Sequence, residues 1–350
     1  MKFQMLLPIG AIALVSLMNF PTGASMILPA NASEATQMTF QPSATFKPGV
    51  NRITFQSEGE KMVGNLYLPA SYKPGDKLPG VVVTGAWTTV KEQMPAVYAQ
   101  RLAAKGFAAL AFDFRYWRES GGGTRQYESP AAKVQDIKNA VAYLKTLPVV
   151  DSDRIGGLGI CASAGYMAKA VAEDANFKSF ATVAAWLHDP RSLSALFGVE
   201  TVQRRDALGK AARQKFDRTG KVEYVPAYAQ TDSNAAMSGD LSYYGSRERG
   251  VIPQWTNRFA VMSWHEWQNF NGMEIAAKIQ APTLIVHSDG SALPDNARKF
   301  YSQLGGQKQL VWAEGQHLDF YDRDPQVSTA VEAVANHFQK TLGSATFSQQ

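Results

Sequence analysis

From Gly80 onward the chain alternates short, continuously apolar runs with longer stretches whose apolar residues recur every three to four positions. Gly80–Thr84, Phe107–Phe112, Ile155–Ile160, Ser179–Leu187, Thr283–His287 and Gln309–Ala313 read as strands apolar on both faces. Between them, Met94–Lys105 reads as a helix, and Val134, Ile137, Val141 and Leu144 mark one face of another. Val327, Val331, Val334 and Phe338 stripe a last helix. Upstream, Arg52–Gln56 and Met62–Leu68 flank Ser-Glu-Gly-Glu-Lys, a hairpin signal. Strands buried on both faces and alternating with amphipathic helices predict a mostly parallel sheet covered on both sides: an α/β fold. About 90 residues, Asp189–Gln280, break that rhythm with a charged stretch (Arg204–Arg218) followed by many aromatics. An insertion after a strand's carboxyl end lies over the ligand edge of such a sheet, so it is expected to be a lid; packing of its aromatics only on one another is the alternative.

The first residues have an export pattern. Lys2 precedes a largely apolar run, Met5–Phe20, and Ala30-Asn31-Ala32 offers a cleavage site. The expected layout is a leader over 1–32, a flexible lead-in over 33–50, a catalytic domain over 51–342 and a tail over 343–350. This implies a periplasmic or secreted protein with no stable membrane insertion once the leader is removed. The net charge of +5 is scattered, which argues against nucleic-acid binding. Oligomeric state is unreadable.

Candidate chemistry centres on Arg154-Ile-Gly-Gly-Leu-Gly-Ile-Cys161-Ala-Ser-Ala-Gly165, which holds the chain's one cysteine. A strand running into a turn of very small residues is how a nucleophile is presented at a strand-to-helix corner. Cys161 is the expected nucleophile; Ser163, with small residues on both flanks, is the alternative. A carboxylate in His287-Ser-Asp289 and the histidine of Gln316-His317 follow later strands. Nucleophile, acid and histidine in that order, each after a strand, would meet at one sheet edge. Asp289 is the expected acid and Asp295 the alternative. The backbone N–H of Ala162, with that of Ala86 or Trp87, is expected to form an oxyanion hole. No metal-ligand spacing appears, and no cofactor is expected.

Five segments in order carry a family resemblance: Val82-Val-Thr-Gly-Ala-Trp87, Ala111-Phe-Asp113, Asp153-Arg-Ile-Gly-Gly-Leu-Gly-Ile-Cys161, Pro282-Thr-Leu-Ile-Val-His-Ser-Asp289 and Gly315-Gln-His317-Leu-Asp-Phe-Tyr. Over about residues 50 to 342 the chain resembles the α/β-hydrolase superfamily, in the branch related to dienelactone hydrolases. That resemblance implies cleavage of a small-molecule carboxylic ester, lactone or thioester through an acyl-enzyme on Cys161, with His317 as general base. It also places Ser291 where many such enzymes carry their acid. Acyl transfer and ligand binding without turnover on the same fold are the alternatives.

Overall fold

The computed structural model describes residues 45–343. The expected leader, most of the lead-in and all but the first residue of the tail lie outside them. Strand β1 (Gly49–Ser57) starts inside the expected lead-in and pairs with β2 (Glu60–Leu68) in the expected hairpin. Its two-residue turn, Glu58-Gly59, has positive φ at both positions (49° and 78°), the twist that suits a tight hairpin. Then follow β3 (Leu78–Thr84), α1 (Met94–Ala104), β4 (Ala108–Asp113), α2 (Pro130–Thr146), β5 (Val150–Ile160), α3 (Ser163–Glu173) and β6 (Phe177–Val183). The insertion contains α4 (Pro190–Phe197), α5 (Val199–Thr219), two small two-stranded pairings and α6 (Ser263–Asn269). Last come β7 (Thr283–His287), α7 (Pro294–Gln303), β8 (Lys308–Trp312) and α8 (Gln326–Leu342).

The eight strands form one sheet in the order β1-β2-β4-β3-β5-β6-β7-β8. The two pairings made by β2 are antiparallel; all others are parallel. Every residue of β3 and β4 is buried, as expected of central strands covered on both faces. Helices α1 and α8 share one face and α2 and α3 the other. The sequence-level stripes on α2 and α8 are the faces they bury. This is the α/β-hydrolase fold, and the parallel strands all end on the edge where loops 85–93, 161–163, 288–293 and 313–318 gather. Among the described residues, no helix is long and apolar enough to cross a membrane.

Two charged segments differ from their surface-like appearance in sequence. Lys91 opens the loop toward α1 and would be expected in solvent, yet its side chain is fully buried. Its Nζ lies 2.7 Å from Asp113, 2.7 Å from Glu92 and 2.5 Å from Glu119. Those three carboxylates sit close enough together to suggest a metal site, but the ammonium already answers their charge. Asp113 pairs with Lys91, and Arg115 binds Asp136 at 2.8 Å. His337, on the last helix, is buried and 2.9 Å from Ser179 Oγ.

Candidate active site

Cys161 leaves β5 with φ +53°, a left-handed conformation costly for a non-glycine residue. Its backbone is held there by its neighbours: its N–H donates to Val183 O (3.1 Å), and its carbonyl accepts from Trp186 N (2.9 Å) and Ala164 N (3.0 Å). Two residues earlier, a Cβ on Gly159 would fall 2.6 Å from Ser163 O, so the turn closes only over glycine. Strain, closure and a following helix define a nucleophile elbow.

His317 arrives on the loop after β8. That loop is tied to the one after β7 by Ala313 N to His287 O (2.7 Å) and His317 N to Gly290 O (3.0 Å). The tie brings His317 Nε2 to 3.3 Å from Cys161 Sγ and 3.1 Å from Tyr321 Oη. The thiol also receives the backbone N–H groups of Ala162 and Trp87. These are two of the three expected oxyanion donors. The Ala86 carbonyl accepts from Thr89 Oγ1 at 2.6 Å, which fixes the peptide that carries the Trp87 N–H. The loop carrying Trp87 is braced from the insertion: Trp255 Nε1 donates to Thr88 O (2.9 Å) and Gln93 Nε2 to Gly250 O (2.7 Å).

The structure does not bring the expected acids to His317. Asp289 points outward, its side chain 74% exposed, and binds Arg298 at 2.5 Å; Asp295, 96% exposed, binds the same arginine. The position two residues beyond Asp289 holds Ser291, which is buried and bonded to Ser288 Oγ at 2.8 Å. The Ala292 N–H then faces the ring and donates to His317 Nδ1 at 3.2 Å. A donor therefore stands where an aspartate would accept. With Nδ1 accepting, the neutral ring carries its proton on Nε2. Burial holds the His317 pKa down to about 3 and pushes the Cys161 thiol up to about 11, so at neutral pH the resting pair is uncharged. The alternative nucleophile, Ser163, is fully buried and its Oγ has no hydrogen-bond partner among the described residues.

Cys161, His317 and Tyr321 open into a cavity of about 470 Å³ roofed by the insertion. Phe197, Tyr244 and Trp267 of the insertion line it beside Trp186, and Tyr244 packs on Trp255 and Trp264 on Trp267, so the insertion's aromatics both wall the cavity and pack on each other. Trp87 stacks on Trp267 (4.3 Å, 22°). His188 and His265 are engaged elsewhere, with Trp267 O and Asp206 respectively. Sequence reasoning missed Tyr321 and Arg205. Tyr321 follows His317 by four residues, one helical turn, and that spacing is the signal that could have found it.

An eight-stranded, mostly parallel sheet with a cysteine elbow facing a histidine defines the protein as an enzyme of the α/β-hydrolase class. The chain belongs to the family described as X-Pro dipeptidyl-peptidase (S15 family), matched over residues 58–319. It is 29% identical over 311 residues to the uncharacterized protein YcjY of Escherichia coli, covering 83% of this chain and 99% of that one. It is 30% identical to the uncharacterized protein PA2218 of Pseudomonas aeruginosa, over 94% and 92% of the two chains. The crystal structure of that protein superposes with a TM-score of 0.73, covering 89% of this chain and 98% of the other. A thiohydrolase of Eupenicillium brefeldianum is 27% identical over 69% of this chain and 80% of its own.

Proposed function

We propose that the protein hydrolyses carboxylic esters and thioesters, lactones included, through an acyl group carried on Cys161. The observation that carries this reading is the convergence of the Cys161 thiol, His317 Nε2 and the Ala162 and Trp87 N–H groups at the floor of one apolar cavity. Two preorganised N–H donors in a water-poor site stabilise charge as it develops on the substrate oxygen. A sulfur nucleophile exchanges readily with a thioester, and the similarity to a thiohydrolase supports that substrate class.

The family's description suggests a peptide with a free N-terminus. The cavity argues against that substrate: Arg204 and Arg205 line it, and among the described residues no carboxylate does to pair with an ammonium group. Arg205 is 9% exposed, stacks on Trp264 at 4.1 Å and has no carboxylate partner among the described residues. Such a wall suits apolar or anionic acyl groups. Turnover of a short acyl thioester, a matching ester and an X-Pro anilide by wild type, Cys161→Ala and Ser163→Ala tests the reading. Cys161→Ala is expected to lose thioester and ester hydrolysis by at least about 1,000-fold, and Ser163→Ala to keep it. Retained activity in Cys161→Ala, or preference for the anilide, would overturn it.

A further inference from the structure

Four residues after His317, the Tyr321 ring is buried and held from several sides. It packs edge-on against Tyr243 (5.0 Å, 89°). The backbone before it is pinned by Tyr98 Oη donating to Phe320 O (2.6 Å), and the residue after it, Asp322, is gripped by Arg249. Its hydroxyl lies 3.1 Å from His317 Nε2, hydrogen-bonds the Cys161 sulfur and faces the cavity. The reaction also leaves a proton to place. An imidazole that accepts the Ala292 N–H at Nδ1 already holds its proton on Nε2, so that nitrogen has no lone pair for the sulfur's proton unless the ring proton first moves to Nδ1. An N–H at Nδ1 pointing at the Ala292 N–H would then replace a hydrogen bond with a clash. The hydroxyl of Tyr321 touches both the sulfur and the imidazole, and it can give and accept a proton at once.

We propose that Tyr321 is a catalytic residue of this site: its oxygen takes the Cys161 proton while its own proton passes to the departing group. This rests on Cys161 being the acylated residue. In acylation the carbon–sulfur bond forms, the bond to the leaving oxygen or sulfur breaks, and the thiol proton is in effect delivered to the leaving group through Oη. In deacylation water attacks the carbonyl carbon, the carbon–sulfur bond breaks, and a water proton returns to sulfur by the same route. His317 Nε2–H donates to Oη throughout and keeps it in line. Burial raises the Tyr321 pKa well above the ordinary phenol range, so the hydroxyl stays protonated between turnovers.

The test compares wild type and Tyr321→Phe on two esters with the same acyl group, one leaving as an aryl alcohol and one as an alkyl alcohol. An alkoxide needs a proton to depart and an aryl oxide does not. Tyr321→Phe is therefore expected to lower kcat/KM on the aryl ester by about 100-fold, because the thiol loses its proton acceptor, and on the alkyl ester by clearly more, because the alkoxide also loses its proton donor. Wild-type turnover of the alkyl ester in mixtures of light and heavy water should give a bowed dependence, the mark of two protons in flight. Equal losses on both esters, no loss, or a straight wild-type plot would overturn the relay. The failures are separable: a Cys161 acyl adduct with a fully active Tyr321→Phe sinks only the relay, whereas an active Cys161→Ala sinks the site reading.

Discussion

At the scale of single residues, the site combines a strained thiol with a histidine that lacks its acid. Asp289 and Asp295 follow a strand, as a catalytic acid should, but local turn geometry sends both toward Arg298. Sequence order showed which strands would deliver residues to one edge; it did not show which way a side chain leaves a loop. Asp289→Ala and Asp295→Ala are expected to leave ester turnover within about twofold of wild type, as for surface substitutions clear of the site; a loss of more than about tenfold in either would restore the acid role. The Cys161 thiol, at about 11, should show an iodoacetamide reaction rate still climbing beyond pH 9. A plateau reached by pH 7 would mean that a charged sulfur–imidazole pair forms in the free enzyme.

At the scale of elements, two short turns determine the chemistry. The elbow was legible in the sequence because only small residues fit it, and Gly159 shows why. Gly159→Ala is expected to cost about 2 kcal/mol or more, since the new methyl meets backbone rather than a movable side chain. Urea unfolding checks this, and an unchanged midpoint would show a looser turn than described. The second turn is Ser288–Ala292, closed by the Ser288–Ser291 bond and by Ser288 Oγ donating to Gly315 O (2.8 Å). Ser291→Asp would place an acceptor near Nδ1. It is expected to shift iodoacetamide labelling of Cys161 to lower pH by favouring an imidazolium beside a thiolate. Labelling that keeps its wild-type pH profile would show that the substituted side chain cannot reach the ring.

Across the whole molecule, the mostly parallel sheet and the main helices were readable because strands buried on both faces leave an unmistakable apolar pattern; the order of the strands was not. Buried charge was not readable. Lys91 is gripped by Asp113 and Glu119, 22 and 28 positions away, and His337 meets Ser179 across 158 positions, contacts that no local pattern encodes. These buried groups set the response to pH. Burial holds His317 at about 3 and His188 at about 4, and also lowers His287 and His337. The unfolded chain, with histidines near 6.5, therefore binds protons that the folded one does not. Stability is fully present above about pH 6.5 and is lost as pH falls from there toward 4. Urea midpoints across that window should fall steadily, and a flat profile would contradict the burial of these rings.

Trapping the acyl group decides the central claim. The protein is mixed with an activated acyl thioester, quenched in acid within a turnover, digested and mapped by mass spectrometry. One acyl group on the peptide carrying Cys161, absent from Cys161→Ala, is the expected result. An acyl group on Ser163 instead, or full turnover with Cys161 never modified, would contradict it.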